Sequence, residues 1–490
     1  MDKLFQAQRL FLCGQLKYTI LMGSMGGYKM TLERRKEKEQ RELTRLRQIN
    51  QKPETAKYIK WVFILVILVH VIDEIASNCA AYVQSSVVND YFVVGQGMTY
   101  ENGLAVLASF SGVTLLLQLV APFYKSLADR FGRKPFLVVN TYGMALGLGL
   151  CFVSKSFGSY IVGTMITTFF IAHDMQVVYI LEVAPSDKRT RFYGITKCIG
   201  TLGLALVPLF RSIFMGDDPT KWRMVFFVPV LIAIAIATLC LLTARETKVY
   251  LAERISVLER PLEERLAEKE AAKEKKKSSS KVGMWATIKL LLGHKDLRWL
   301  VLCANLYMFS TMAMTGYYES IMTTNGMATE EVTKALFAFP FMFAGLLLLC
   351  GFMGDSLGRK KTAVIMGTTS IIAFMLFAAG CKNGWGAIPV GLLYGLYLGS
   401  YYQVGDYMWI MAAEKAPTEN RASSTAAITL LSYVGLFTGL ILLTVMLAGG
   451  MAITTACLII TMPTLITSMV LLMTKVKETK GTDLESIGRD

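Results

Sequence analysis

Twelve long apolar stretches dominate this chain of 490 residues. Each is about 20 residues long, which is the length that an α-helix needs to cross roughly 30 Å of hydrocarbon. Transmembrane β-barrels show short alternating patterns instead. The sequence therefore predicts an all-α polytopic membrane protein with twelve transmembrane helices, numbered spans 1 to 12. Their predicted cores are residues 61–81, 103–124, 135–153, 157–183, 193–214, 223–242, 297–322, 335–353, 362–381, 388–413, 423–447 and 453–473.

Basic residues are concentrated in alternate loops. The loop at residues 89–102 contains no Lys or Arg, whereas the next loop contains four. Because cytoplasmic loops are enriched in Lys and Arg, the face with the basic loops, called the basic face, is predicted to be cytoplasmic and to hold both termini. The net charge of +15 is then topogenic, and no nucleic-acid partner is expected. The basic-loop residues are Lys125, Arg130, Arg133, Lys134, Lys188, Arg189, Arg191, Arg359, Lys360, Lys361, Lys415 and Arg421.

A charged central segment divides the chain into two halves. Residues 262–277 are rich in Glu, Lys and Ala, which is typical of a solvated, partly helical linker; a basic patch that binds lipid is the alternative. The predicted domains are a cytoplasmic N-terminal tail (1–57), a six-helix bundle (58–244), a cytoplasmic linker (245–296), a second six-helix bundle (297–475) and a cytoplasmic C-terminal tail (476–490).

The two halves carry an internal repeat. The tripeptide Glu-Thr-Lys at residues 246–248 recurs at 478–480, and Asp-x-x-Gly-Arg-Lys at 129–134 recurs at 355–360. An even number of helices in each half makes the two copies parallel across the membrane, as in transporters with two related bundles. The sequence therefore predicts a pseudo-two-fold axis between the bundles. A third set, Asp174, Glu182, Pro185 and Arg189, recurs 232 residues later as Asp406, Glu414, Pro417 and Arg421.

The repeated motifs resemble those of the major facilitator superfamily. Residues 127–134 resemble the signature between its second and third helices, although Lys125 stands where the signature usually has Gly. The second copy, at 351–360, has Ser356 in place of an Arg. The motifs that end spans 4 and 10 and follow spans 6 and 12 resemble the sugar-porter and organic-ion-transporter branch, although Arg245 and Lys477 replace a Pro.

This resemblance implies a function and a set of gate residues. It implies a secondary active transporter of the cell membrane that moves a small-molecule substrate by alternating access, as a monomer in the lipid bilayer, with no enzymatic activity. Contacts at the basic face are expected to hold that side closed when the protein opens to the other side. The implied gate residues are Asp129, Arg130, Gly132, Arg133, Lys134, Glu182, Arg189, Asp355, Gly358, Arg359, Glu414 and Arg421.

Acidic residues inside the apolar stretches are candidates for proton coupling. An ionisable residue at membrane depth costs about 2.5–3.5 kcal/mol on insertion scales, so such residues are functional candidates. Span 1 carries Asp73 and Glu74 near its middle. Asp73 is the preferred proton carrier, because symporter relatives resemble it in having a first-helix acid. His70 lies one turn before Glu74 and can pair with it.

Other polar residues are candidates for the substrate chamber. Asp174 and Asp406 are predicted either to join the basic-face gate or to line the chamber, and Lys197 is a counter-ion for them. Glu319 and the tyrosines Tyr397 and Tyr401 are further candidates, with helix packing as the alternative for the two rings. Three histidines and the absence of any Cys-x-x-Cys pair argue against a metal site. No cofactor is expected.

Proton-coupled symport is the preferred function, and three alternatives stay open. An exporter of organic cations or drugs is disfavoured, because span 5 lacks the Gly-x-x-x-Gly-Pro motif of such antiporters. A facilitated uniporter and a non-transporting nutrient sensor on the same fold are the others.

Overall fold

The protein is helical wherever the computed structural model describes it. It describes residues 32–51, 53–118, 124, 127–128, 131–171, 175–183, 189–266, 268, 293, 295–415 and 421–479. All regular secondary structure in these ranges is helix, and each of the twelve predicted spans contains helix, which confirms the predicted fold class. The tail residues 1–31 and 480–490 and the linker residues 269–292 lie outside this description.

Several spans are built from more than one helix. Spans 5 and 7 are interrupted near their middles, and span 1 is continued beyond Asn78 by shorter helical segments, Ala81–Val83, Gln84–Val88 and Asn89–Val94. The main helices, in order from span 1 to span 12, are Ala56–Asn78; Tyr100–Gln118; Arg133–Phe152; Phe157–Ile171 with Met175–Val183; Arg189–Leu202 with Leu206–Phe214; Pro219–Phe226 with Phe227–Thr243; Lys295–Phe309, Thr311–Thr315 and Tyr318–Thr324; Thr329–Leu357; Arg359–Asn383; Ala387–Lys415; Arg421–Ala448; and Ile453–Lys475.

Seven helical stretches in the described ranges are long and apolar enough to cross a membrane. They belong to spans 3, 5, 6, 8, 9, 11 and 12. Spans 2 and 4 run into residues outside the description, and span 7 is broken into three helices. Span 1 carries two acids, and span 10 is rich in Tyr and Gly. Among these five spans, the described residues show a division into separate helices only in span 7.

The helix contacts repeat between the two halves. Span 3 packs against spans 4 and 6, and span 9 packs in the same way against spans 10 and 12. Spans 1 and 5 pack together, as do spans 7 and 11. Contacts between the halves join span 2 to span 11 and span 5 to span 8. Adding six to each span number converts each of these contacts of the first half into one of the second, as a pseudo-two-fold axis requires.

Spans 3 and 4 form the tight hairpin that their short connection predicts. A Cβ atom on Gly147 would lie 2.2 Å from the Thr167 hydroxyl oxygen, and one on Gly163 would lie 2.7 Å from the Cys151 sulfur. Because a real Cβ cannot approach so closely, glycine is required at both positions. The two backbones can then pack closely, as small residues permit in membrane helices.

A separate compact unit lies within Met1–Pro53 and Leu251–Lys273. In it, the helix Leu32–Asn50 makes four ion pairs with the linker segment. These pairs are Lys36–Glu263 at 2.5 Å, Arg47–Glu259 at 2.7 Å, Arg254–Glu42 at 2.9 Å and Arg265–Glu39. The division of the chain at residues 57, 244, 296 and 475 stays a prediction.

Candidate functional site

A glutamate after span 6 caps the start of span 3 on the basic face. Gly132 has φ 104° and ψ 161°, a conformation that is essentially restricted to glycine. The turn directs the backbone N–H groups of Arg133 and Lys134 toward Glu246 Oε1, at 2.8 Å and 3.2 Å. Burial raises the pKa of Glu246. The rise is opposed by the backbone N–H groups of Arg133, Lys134 and Thr247 and by the charge of Arg133.

The Arg133 side chain joins this cap to the end of span 4. Its Nε donates to Glu182 Oε1 at 2.9 Å, and its Nη1 donates to the Ala128 carbonyl oxygen at 3.0 Å. The Thr247 hydroxyl donates to the other carboxylate oxygen of Glu182. Arg133 and Glu182 are both largely buried, so the pair is held in fixed geometry.

The second half repeats the network residue by residue. Gly358 has φ 101° and ψ 163°, and the N–H groups of Arg359 and Lys360 donate to Glu478 Oε1 at 2.9 Å and 3.2 Å. Arg359 Nε lies 3.4 Å from Glu414 Oε1. The remaining repeated contacts run from Arg359 Nη1 to the Gly354 carbonyl oxygen and from the Thr479 hydroxyl to Glu414.

Each of these contacts lies within one half of the protein. Among the predicted gate residues, Gly132, Arg133, Lys134 and Glu182 meet in the first half, and Gly358, Arg359 and Glu414 meet in the second. Asp129 and Arg130 lie outside the described residues, as do the side chains of Arg189, Asp355 and Arg421. The residues Glu246, Thr247, Glu478 and Thr479 were not predicted as gate residues, although the repeated Glu-Thr-Lys was the available signal.

The two acids of span 1 have different surroundings. Asp73 is buried and accepts a hydrogen bond from Gln176 Nε2 of span 4 at 3.2 Å. Glu74 keeps 23% of its side chain exposed, and its Oε1 lies 3.8 Å from His70 Nε2, a distance at which the two form an ion pair only when the imidazole is protonated.

Charged and polar groups from both halves lie within electrostatic range of one another. We call Glu74, Lys197, Tyr402 and Asp406 the interior polar cluster. Lys197 on span 5 and Asp406 on span 10 lie within electrostatic range of each other, and Tyr402 lies within range of both Glu74 and Asp406. Gln403 Nε2 lies 3.5 Å from Asp406 Oδ2. Spans 1, 5 and 10 thus each contribute at least one charged or polar group to this cluster. Asp174 lies outside the described residues.

The tyrosines of span 10 that were predicted as chamber candidates are fully buried. Tyr401 stacks on Tyr307 at 4.4 Å between ring centroids, and its hydroxyl lies 2.7 Å from the Thr311 hydroxyl. Tyr397 packs against Phe374 and Phe377 of span 9. Both rings therefore pack inside the second half in this conformation.

Glu319 lies away from the interior polar cluster, at the end of span 7 opposite to the basic face. It is buried and accepts hydrogen bonds from both the N–H and the hydroxyl of Ser85, at 2.8 Å and 2.6 Å. Arg211 Nη1 lies 3.1 Å away. Neither Ser85 nor Arg211 was a predicted site residue. Among the described residues, no group of three or more His, Cys, Asp or Glu side chains is placed to hold a metal ion.

Comparison with known proteins places these features in a family context. The family described as Major Facilitator Superfamily matches residues 75–440. The chain is 22% identical to Plastidic glucose transporter 4 of Arabidopsis thaliana over 305 residues, which are 55% of each protein. It is 27% identical to Tetracycline resistance protein, class H, of Pasteurella multocida over 169 residues, which are 33% of this chain and 40% of that protein. The matches thus span about half or less of these relatives.

A solved structure has the same fold over most of the chain. The crystal structure of a D-xylose-proton symporter matches with a TM-score of 0.63 at 16% identity. The match covers 88% of this chain and all of that one.

Proposed function

Because the chain belongs to the Major Facilitator Superfamily and is a multi-pass membrane transporter, we propose that it moves a small organic solute together with protons by alternating access. The carrying observation is the interior polar cluster. Lys197 and Asp406 come from opposite halves, and their charges interact inside the membrane-spanning bundle. A solute held between them contacts both halves, so its binding responds to their relative movement.

The polar lining suits a solute with several hydroxyl groups. Asp406 and Gln403 provide hydrogen-bond acceptors and a donor, and Tyr402 adds a ring and a hydroxyl, a combination that binds a sugar-like molecule. The names of two similar proteins, a glucose transporter and a D-xylose-proton symporter, support the same solute class.

Asp73 is the proposed proton carrier. Its carboxyl is buried in span 1 and is held by Gln176 of span 4. Enclosing an ionised carboxylate in a low-dielectric region is costly, and taking up a proton removes that cost. The halves can then rearrange around a neutral group. Glu74, which is more exposed and lies 3.8 Å from His70 Nε2, is the second candidate for this role.

An exporter is the second candidate function. The similarity to a protein named for tetracycline resistance favours it, because the same fold can couple protons in the opposite direction. The direction of the proton gradient that drives accumulation discriminates between the two.

We also propose that the basic face is cytoplasmic and that the protein resides in the cell membrane. The Lys and Arg residues of alternate loops support this orientation. Labelling of introduced cysteines in intact cells tests it. Thiol reagents that do not cross membranes should react at Lys221→Cys, on the opposite face, and not at Lys361→Cys.

Uptake into proteoliposomes tests the transport proposal. Purified protein is offered a library of labelled sugars and other metabolites, with and without an inward proton gradient. We expect accumulation of a polyhydroxylated solute only with the gradient. Asp73→Asn should abolish accumulation and preserve solute exchange, whereas the exposed-acid control Glu330→Gln should accumulate normally.

Three results would contradict parts of this proposal. Accumulation by Asp73→Asn would show that Asp73 does not carry the coupled proton. The same assay with Glu74→Gln then tests the second candidate. Uptake that does not depend on the proton gradient would indicate a uniporter. Accumulation driven only by an outward gradient would indicate an exporter.

A further inference from the structure

A buried cluster of polar groups joins the two halves at the face opposite to the basic one. Glu319 belongs to span 7 in the second half, whereas Ser85 and Arg211 belong to the first half. Spans 1, 5 and 7 all begin at the basic face, so their distal ends meet at the opposite face. We call Ser85, Arg211 and Glu319 the opposite-face cluster.

The contacts of this cluster cross the boundary between the halves. The Glu319 carboxylate accepts from the Ser85 N–H, the Ser85 hydroxyl and Arg211 Nη1, at 2.8 Å, 2.6 Å and 3.1 Å. Arg211 Nη1 also donates to the Tyr82 carbonyl oxygen. Next to these contacts, the Ser320 hydroxyl donates to Gln84 Oε1 at 2.8 Å. One carboxylate of the second half thus binds two elements of the first.

The cluster is closed to water on every side. The side chain of Glu319 is 0% exposed and that of Arg211 is 2% exposed. An aromatic layer lies beside it: the rings of Tyr82 and Tyr318 are 6.0 Å apart, and Tyr318 stacks on Tyr394 at 4.3 Å. Polar and aromatic contacts therefore seal the opposite-face end between the halves.

We propose that the opposite-face cluster is a latch that holds the opposite face closed and sets the balance between the two access states. The charges in it satisfy each other only while the halves meet. When the halves part at this face, water solvates both charges. The pair therefore favours the closed state only while each buried charge has its partner. Removing one charge leaves the other buried without compensation, which favours the water-filled open state.

The arrangement differs from that of a structural ion pair within one half. Arg223 and Asp90 also form an ion pair at the opposite face, at 2.8 Å, but both belong to the first half. Breaking that pair does not free the halves from each other. Asp90→Asn is therefore the matched control.

Hydrogen–deuterium exchange of the full chain in lipid nanodiscs tests the latch. In Glu319→Gln we expect amide exchange in residues 84–94 and 318–324 to become faster, on the order of tenfold or more. Exchange in residues 133–138 and 359–364, on the basic face, should become slower, because that face closes as the other opens. Asp90→Asn breaks contacts within the first half only, so it should leave residues 318–324 and both basic-face segments unchanged.

The opposite responses of the two faces separate opening from unfolding. Faster exchange on both faces in Glu319→Gln would mean a loss of structure and would overturn the assignment, as would unchanged exchange at residues 84–94. If Glu319→Gln does not yield folded protein, Ser85→Ala decides. It removes one hydrogen bond and keeps the ion pair, so it should give a smaller change of the same sign, and no change would refute the latch.

This inference rests on alternating access and not on proton coupling. Exchange is measured without a solute or a gradient. The latch can therefore fail while the proposed symport stands, and the reverse also holds.

Discussion

Replacing Gly132 with alanine tests the geometry of the contacts that join Arg133, Glu182 and Glu246 on the basic face, which we call the basic-face network. Its φ of 104° lies in a region that costs other residues about 1–3 kcal/mol. The new Cβ would also lie 2.2 Å from Glu246 Oε2, so the carboxylate must move away from the N–H groups of Arg133 and Lys134. Hydrogen bonds to a charged group contribute about 1.5–3 kcal/mol each. If one of the two hydrogen bonds is lost, the expected destabilisation is therefore about 2.5–6 kcal/mol.

The assay is thermal unfolding of the purified protein in detergent, followed by intrinsic fluorescence. Gly132→Ala and its repeat partner Gly358→Ala should both lower the apparent melting temperature. The effect should be smaller at Gly358, because its Cβ would lie 2.6 Å from Glu478 Oε2.

Gly345→Ala is the control for this pair. Gly345 lies inside span 8, and a Cβ there would meet nothing within 4 Å. Alanine should therefore be neutral or stabilise by up to about 1 kcal/mol, through helix propensity. If Gly132→Ala melts like the unchanged protein or like Gly345→Ala, the duplicated cap does not depend on glycine and the argument fails.

Two further predictions concern span 10 and the N-terminal unit. Tyr401→Phe should lower the melting temperature, because the Tyr401 hydroxyl contacts the Thr311 hydroxyl. Tyr397→Phe should leave the melting temperature unchanged, because no hydrogen-bond partner of the Tyr397 hydroxyl lies among the described residues. Equal effects of the two substitutions would contradict this. The hydrogen bond and charge of Lys36 lower the pKa of Glu263 below its ordinary value of 4.5. The ion pair therefore stabilises the N-terminal unit fully above pH 4.5, and this stabilisation is lost as the pH falls through the lowered pKa. Limited proteolysis of residues 32–50 should accelerate over that window, and Glu263→Gln should remove the acceleration.

The twelve spans could be predicted from hydropathy, because burial in hydrocarbon imposes a length on each helix. The repeat also predicted that both halves would have the same architecture, and the paired helix contacts agree with this. The breaks in span 7, near Ser310 and Gly316, could not be predicted in the same way. They depend on tertiary contacts, such as that of Ser310 with the hydroxyl of Tyr401, and not on local composition.

The residues of the basic-face network could be found in the sequence more readily than their partners. Repetition marked Gly132, Arg133 and Glu182, and it also marked Glu246. The pairing of the Arg133 N–H with Glu246 joins positions 113 residues apart, and no local pattern indicates which acid caps which turn.

The contacts of the opposite-face cluster could not be predicted from the sequence. Ser85 and Glu319 are 234 residues apart. Ser85 is one of many serines in the chain, and no pattern around Arg211 marks it as a partner of Glu319. The structure buries Arg211 beside Glu319. Only the packing of the two halves brings these groups together.

The central claim is that solute and protons move together through a chamber between the halves. Proteoliposomes loaded with a pH-sensitive dye measure this directly, once the uptake screen has identified a solute. With no gradient imposed, adding that solute outside should acidify the interior, and Asp73→Asn should abolish the acidification while solute exchange continues. Entry of the solute into vesicles whose internal pH stays constant would contradict the account.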